Sequence, residues 1–180
     1  MGSNIEPEQN LLRAVQELDV RVEVVAVSRV FETEPVGRRR VPTFLNAAVE
    51  LNTSLTPRAL KFRVLRSVEA ALGRVRTHDR NAPRVIDLDI ALFGDRMLSD
   101  PAAGIEIPDP DIVRHPHVVV PLADLAPDRR HPESGETLRE IAANLAPRGR
   151  VRLASEASAL RNLIAELRSA RSFSEPLSDD

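Results

Sequence analysis

Cysteine, tryptophan and tyrosine are all absent from the 180 residues. Without thiols the chain can build neither a disulfide framework nor a thiolate metal site, and it fits a reducing compartment. Aromatic residues amount to 3%, all of them Phe, so the ring-covered sheet that binds single-stranded nucleic acid is poorly supplied. Charge of one sign is missing too: Lys+Arg number 25 against Asp+Glu 27, a net charge of −2. No global basic field therefore draws the chain to nucleic acid or to an anionic membrane. No apolar run reaches the length of a membrane span, and the opening residues form neither a signal nor a transit peptide. Myristoylation fails because Glu6 stands where Ser or Thr is required. The cytoplasm is the expected location, with no nucleic acid and no membrane as partner. Walker loop, dinucleotide fingerprint and protein-kinase signature are likewise missing. Any nucleotide must be held by something other than a glycine-rich cradle.

What is present centres on the stretch from Gly73 to Gly94, GRVRTHDRNAPRVIDLDIALFG. In its second half Ile86, Leu88, Ile90 and Leu92 alternate with Asp87, Asp89 and Ala91, the period of a strand with one face in a core. Both carboxylates then share the other face, about 6.5 to 7 Å apart at Cα. At that spacing two ionised carboxylates raise each other's pKa unless a cation lies between them. Arg74, Arg76, Arg80 and Arg84 precede them, and guanidinium forks match phosphate oxygens. Hard oxygen ligands beside arginines suit Mg²⁺ holding a polyphosphate. Alone, the Asp pair could be solubilising and the arginines a solvated loop. Together they favour function, because Pro83 stiffens the link that aims Arg84 at the carboxylates. His115 and His117 lack the third His or Cys that a zinc site would need.

With 42% hydrophobic residues the chain can bury one core without staples. Leu11, Leu12, Val15 and Leu18 predict a first helix from Pro7. Val22 to Phe31 and Phe44 to Leu51 predict two strands, separated by a loop from Thr33 to Pro42 that carries Arg38, Arg39 and Arg40. Thr56 and Pro57 form an N-cap and N1 pair, opening a helix that buries Leu60, Val64, Leu65, Val68 and Leu72 before Gly73 closes it. After the Asp strand come a loop through Gly104, a short strand Ile105 to Ile107, turns at 108–111, and an ambiguous apolar run from Val118 to Leu125. A capping box starts at Thr137, and Leu160, Leu163, Ile164 and Leu167 suggest a last helix before a polar tail expected to be disordered. The order predicts an α+β chain of ferredoxin-like, split βαβ plan, with an antiparallel sheet, helices on one face and extra C-terminal helices.

GRVR, RNAPR and IDLDI, with GSN at 2–4, FETEPVG at 31–37, FLNAAVEL at 44–51, and IPDPD followed by VPLADLAPD, resemble the signature of 6-hydroxymethyl-7,8-dihydropterin pyrophosphokinases. The likeness runs from Gly2 to about Leu145, so residues 1–150 are expected to be the pyrophosphokinase domain and 151–180 an extension. The resemblance implies the ferredoxin-like fold, ATP and 6-hydroxymethyl-7,8-dihydropterin as substrates, two Mg²⁺ ions and a monomer. Pyrophosphate would pass from ATP to the hydroxymethyl group in folate biosynthesis, with AMP leaving. An inactive family member and a ferredoxin-like nucleic-acid-binding module stand as alternatives.

Carried over by position, the resemblance implies Asp87 and Asp89 as metal ligands and Arg74 and Arg84 as the catalytic arginines. Glu69, Arg76, Arg80 and His115 are placed with ATP. Thr33, Pro35, Phe44, Asn46 and His117 are placed with the pterin, with Phe44 and His117 stacking on its two sides. Departures exist: Asn81 and Ala82 stand where many members carry Trp and Gly, and Asp109 where some carry His. His117 takes an aromatic position and His115 an arginine position. The family's first strand, central in the sheet, is missing or truncated ahead of GSN, so the natural protein is expected to begin upstream of Met1. Val151 to Leu153 is the other segment available to fill that gap, although three residues are few for a central strand.

Overall fold

The computed structural model describes residues 1–33, 42–75, 82–146, 151–154 and 162. The chain is α+β with antiparallel pairing throughout its named strands. It opens with β1 (Gly2–Ser3) and α1 (Pro7–Asp19). The expected spacing holds in α1, where Leu11, Ala14, Val15 and Leu18 are buried. The two predicted strands form one long antiparallel hairpin, but each is bent into two pieces. β2 (Glu23–Val27) gives way to β3 (Phe31–Thr33), and β4 (Phe44–Asn46) to β5 (Val49–Asn52).

The bends face each other. Ser28 N–H donates to the Ala48 carbonyl at 3.0 Å, while Ala48 N–H donates to Ser28 Oγ at 2.9 Å. A side-chain oxygen thus takes the place of a ladder carbonyl, and Ser28 Oγ gives its own proton to the Arg29 carbonyl at 2.7 Å. Beyond the bend, β3 and β4 join a four-stranded sheet of order β1-β4-β3-β8, where β8 is Val151–Leu153. β8 therefore lies at the edge beside β3 and does not fill the central gap.

A continuous helical rod follows, as α2 (Pro57–Ala59), a π-helical stretch (Leu60–Leu65) and α3 (Arg66–Ala71). Thr56 Oγ1 caps it by accepting the Ala59 N–H at 3.2 Å, and Gly73 leaves it with a φ of 86°, which glycine adopts without a Cβ penalty. The predicted loop after Gly94 contains β6 (Leu98–Asp100), which pairs with β7 (Ile105–Ile107). The ambiguous run is helical, within α4 (Pro116–Leu125), and the capping box on Thr137 and Glu140 opens α5 (Leu138–Leu145). Pro121 explains the ambiguity, since it has no N–H to offer the His117 carbonyl one turn earlier. Arg29 ties α4 to the hairpin bend: its N–H and Nε reach Asp124 at 2.8 and 2.7 Å.

The segment 86–92, expected as a strand, makes a single bridge, Gly2 to Asp87. β1 is two residues long, so the ladder it can offer ends there. The alternation nevertheless holds, because three apolar clusters grip the segment instead. Ile86 and Leu88 are buried with α1, the 57–72 rod and the sheet. Ala91 and Leu92 pack on the cluster of α4 and α5. Ile90 and Phe93 pack on Ala103, Ile105 and Ile107 of the β6–β7 hairpin. Among the described residues no helix is long and apolar enough to cross a membrane. Leu160, Leu163, Ile164 and Leu167 of the proposed last helix, the polar tail, and Arg38 to Arg40 lie outside the described residues.

Candidate active site

A cavity of about 840 Å³ is bounded by the sheet, the 84–94 segment and α4. Its floor follows from β1. Gly2 exchanges both backbone hydrogen bonds with Asp87, at 3.0 and 2.8 Å, and on its other side pairs with Asn46. This short strand therefore holds the acidic segment against the hairpin. Gly2 must be small: a Cβ there would lie 2.7 Å from Asn46 Oδ1.

Asp87 carries the densest electrostatics of the site. Its Oδ1 accepts from the Arg74 guanidinium and its Oδ2 from the Arg84 guanidinium. Burial alone would push the Asp87 pKa up, but the hydrogen bonds and charges of Arg74 and Arg84 outweigh it and hold the carboxyl below its ordinary value. Burial likewise opposes the charge of Arg74, yet Asp87, Glu69 and Asp89 together raise its pKa. Glu69 is 2% exposed; it accepts from Arg74 and from the Leu88 N–H at 3.0 Å. It thus lies beneath the cavity, fixing both Arg74 and the backbone between the two aspartates.

Asp89 is different. Loss of hydration in the concave site comes first, and the Asp87 charge second, in raising its pKa above the carboxylate norm. Asp89 lines the cavity together with Asp87 and Arg84. A smaller cavity of about 140 Å³ lies behind it, lined also by Lys61 and Asp109. Lys61 Nζ donates to the Gly104 carbonyl in the turn of the β6–β7 hairpin. Burial, with Asp111 and Glu106 adding like charge against a backbone hydrogen bond from Asp111, raises Asp109 as well. Asp89 offers hard carboxylate oxygens whose negative charge its surroundings disfavour, which a divalent cation would relieve. Asp87, whose charge Arg74 and Arg84 already meet, stands two residues away as a second hard donor, so the pair fits Mg²⁺.

The part of the strand wall made by β3 and β4 is neutral. Thr33, Phe44 and Asn46 line the cavity, and the buried Asn46 Nδ2 donates to Thr33 Oγ1 at 2.9 Å. That bond leaves Asn46 Oδ1 and one N–H available to a planar, hydrogen-bonding ligand. His117 lines the side formed by α4. Burial, then the neighbouring His115, lowers its pKa, which favours the neutral imidazole. His115 stacks on it with ring centroids 5.3 Å apart, stands 3.6 Å from Asp111, and is not itself part of the lining. The cavity thus gathers Thr33, Phe44, Asn46, Arg84, Asp87, Asp89 and His117, with Glu69, Arg74 and His115 behind it. Pro35, Arg76 and Arg80 lie outside the described residues.

Sequence reasoning missed Lys61 and the lining role of Asp109 and Asp111. The IPDPD motif pointed toward the aspartates, whereas nothing local marks Lys61. It is one helical lysine whose role depends on a hairpin more than forty positions away.

The model of the 7,8-dihydro-6-hydroxymethylpterin-pyrophosphokinase family matches residues 1–127. The chain is 41% identical over 152 residues to the 2-amino-4-hydroxy-6-hydroxymethyldihydropteridine pyrophosphokinase of Methylorubrum extorquens, covering 83% of this chain and 92% of that protein. It is 38% identical over 146 residues to the Pseudomonas aeruginosa protein of the same name, covering 79% and 87%. A folic acid synthesis protein of Pneumocystis carinii is 33% identical over 75% of this chain, which spans 18% of that longer protein.

Proposed function

The chain belongs to the 7,8-dihydro-6-hydroxymethylpterin-pyrophosphokinase family, and from that premise we propose that its cavity moves the β,γ-pyrophosphoryl group of ATP onto 6-hydroxymethyl-7,8-dihydropterin. One observation supports this above the rest. A charged floor built on Asp87 between two arginines faces a neutral wall built on Thr33, Asn46 and Phe44 in one cavity. A polyphosphate suits the first and a flat heterocycle the second.

In the reaction the hydroxymethyl oxygen attacks the β-phosphorus of ATP and loses its proton. The bond from that phosphorus to the oxygen bridging it to the α-phosphorus breaks, and AMP leaves with that oxygen. The residues act by positioning and by charge. Asn46, held by Thr33, pairs with the polar edge of the pterin while Phe44 and His117 stack on its faces. Arg74 and Arg84 place fixed positive charge where the transferring group develops negative charge. Glu69 keeps Arg74 aimed from below. Arg76, Arg80 and His115 are proposed for ATP. Asp87 and Asp89 are the residues that would hold Mg²⁺, which when bound neutralises and orients the polyphosphate. A cytoplasmic monomer is part of the same proposal.

The test is product analysis. The purified chain, given Mg²⁺, ATP and 6-hydroxymethyl-7,8-dihydropterin, is expected to release AMP in step with pyrophosphorylated pterin. A chelator in excess over Mg²⁺ should stop it and added Mg²⁺ restore it. Release of ADP instead, or no pterin-dependent AMP, overturns the proposal.

A further inference from the structure

Arg84 does not lie in a regular strand, yet its backbone is held on both sides by one residue. Asn4 N–H donates to the Arg84 carbonyl at 3.2 Å, and Arg84 N–H donates to Asn4 Oδ1 at 2.7 Å. Beside this pair, Ser3 Oγ donates to the Val85 carbonyl at 2.6 Å, and Gly2 pairs with Asp87. Past the Gly2–Asp87 bridge, the Ser3 and Asn4 side chains and the Asn4 N–H continue the pairing with 84–85. The orientation of the Asn4 amide is fixed by this geometry, since turning it round would set its NH₂ against the Arg84 N–H. That NH₂ is buried and has no hydrogen-bond partner among the described residues. The side chain is therefore held for its oxygen.

We infer that Asn4 is a positioning residue: its carbonyl oxygen fixes the backbone of Arg84, and so fixes where the Arg84 guanidinium meets Asp87 and the transferring phosphoryl group. The role of Arg84 in transfer rests on the function proposed above. The hold on its backbone does not. Arg84 is three residues before Asp87, and that span is pinned at one end to Asn4 and at the other to Gly2 of β1. Losing one pin lets the guanidinium swing while Asp87 stays in place.

The experiment is a double-mutant cycle with a spectroscopic arm. Asn4→Ala is expected to lower kcat about tenfold with both KM values within about threefold, since misplacing a catalytic group acts on turnover. In an Arg84→Ala background, Asn4→Ala should cost no more than about twofold, because the group it positions is gone. Asn4→Asp, which keeps an oxygen at the acceptor position, should recover most of the kcat lost by Asn4→Ala, and it carries the test if the alanine variant fails to fold. Equal losses with and without Arg84, or an unrescued Asp variant, overturn the inference. The spectroscopic arm needs no substrate. The ¹⁵N–¹H signal of Arg84 Nε, assigned by its disappearance in Arg84→Lys, should shift or broaden in Asn4→Ala. An unchanged signal overturns the inference. If the wild-type chain releases no AMP, it is the proposed function that fails, and this signal alone decides the role of Asn4.

Discussion

The two walls of the cavity are assembled on opposite principles. The part of the strand wall made by β3 and β4 is neutral: Asn46 and Thr33 satisfy each other at 2.9 Å and keep their remaining hydrogen-bonding groups for a ligand. The floor is charged: Arg74 and Arg84 are already bound to Asp87, while Asp89 bears a charge that its surroundings disfavour. Under the proposed function, a wall that is complete before the ligand arrives would set affinity. Under the same proposal, a floor whose cations and anions hold one another without ligand would have to reorganise for a polyphosphate, which would act on turnover. The contrast also explains why Glu69 is buried. Its carboxylate joins Arg74 to the Leu88 N–H, which gives the arginine an anchor that does not depend on Asp87.

The sharpest way to break this contrast is to remove a charge from the floor. Arg84→Ala is expected to lower kcat by about a thousandfold, as loss of an arginine at a transferring phosphoryl group does. Asp89→Ala should abolish measurable AMP release without lowering the melting temperature of the ligand-free protein, since a carboxylate with a raised pKa costs stability when ionised. If either variant instead kept its kcat and lost only pterin affinity, the floor would be a binding surface like the wall.

A smaller effect is expected on the wall. Asn46→Ala removes a buried amide that lines the cavity and leaves Thr33 without its donor. Pterin affinity should fall about tenfold, the cost of roughly one to two hydrogen bonds, with kcat changed far less. Gly2→Ala lies where wall and floor meet, and it should weaken the pterin by a lesser factor as the new Cβ displaces Asn46 Oδ1. Titration calorimetry with the pterin and a non-hydrolysable ATP analogue separates these from the floor variants. A kcat collapse in Asn46→Ala would show that the two walls are not separable.

The smallest effect concerns pH. His117 is held neutral by burial, with its pKa below the ordinary 6.5. The unfolded chain therefore takes up a proton near pH 6.5 that the folded chain refuses until lower pH. The stability this represents is fully present above about pH 6.5 and is lost as pH falls toward the lowered folded value. The drop in melting temperature between pH 7.5 and 5.5 should be smaller in His117→Phe than in the wild type. An identical drop in both would mean that His117 titrates as an exposed histidine.

The sequence by itself determined what depends on neighbours a few positions away. The apolar period of α1 and of the 57–72 rod, the caps at Thr56 and Thr137, and the opposition of Ile86 and Leu88 to Asp87 and Asp89 all follow from local geometry, and all are seen. The family motifs pointed to Thr33, Phe44, Asn46, Arg84, Asp87, Asp89 and His117, which all line the cavity. Only the tertiary structure decided the rest, because it turns on partners far along the chain. The strands bend where Ser28 meets Ala48 across the hairpin. The segment 86–92 is fixed by three apolar clusters and not by a ladder, and Val151–Leu153 joins the sheet at its edge. That both oxygens of Asp87 belong to arginines, and that Asn4 holds one of those arginines by its backbone, are facts of convergence. Hydrogen bonds between residues 4 and 84 leave no period in a sequence, since each end is chosen for a neighbour that only folding supplies.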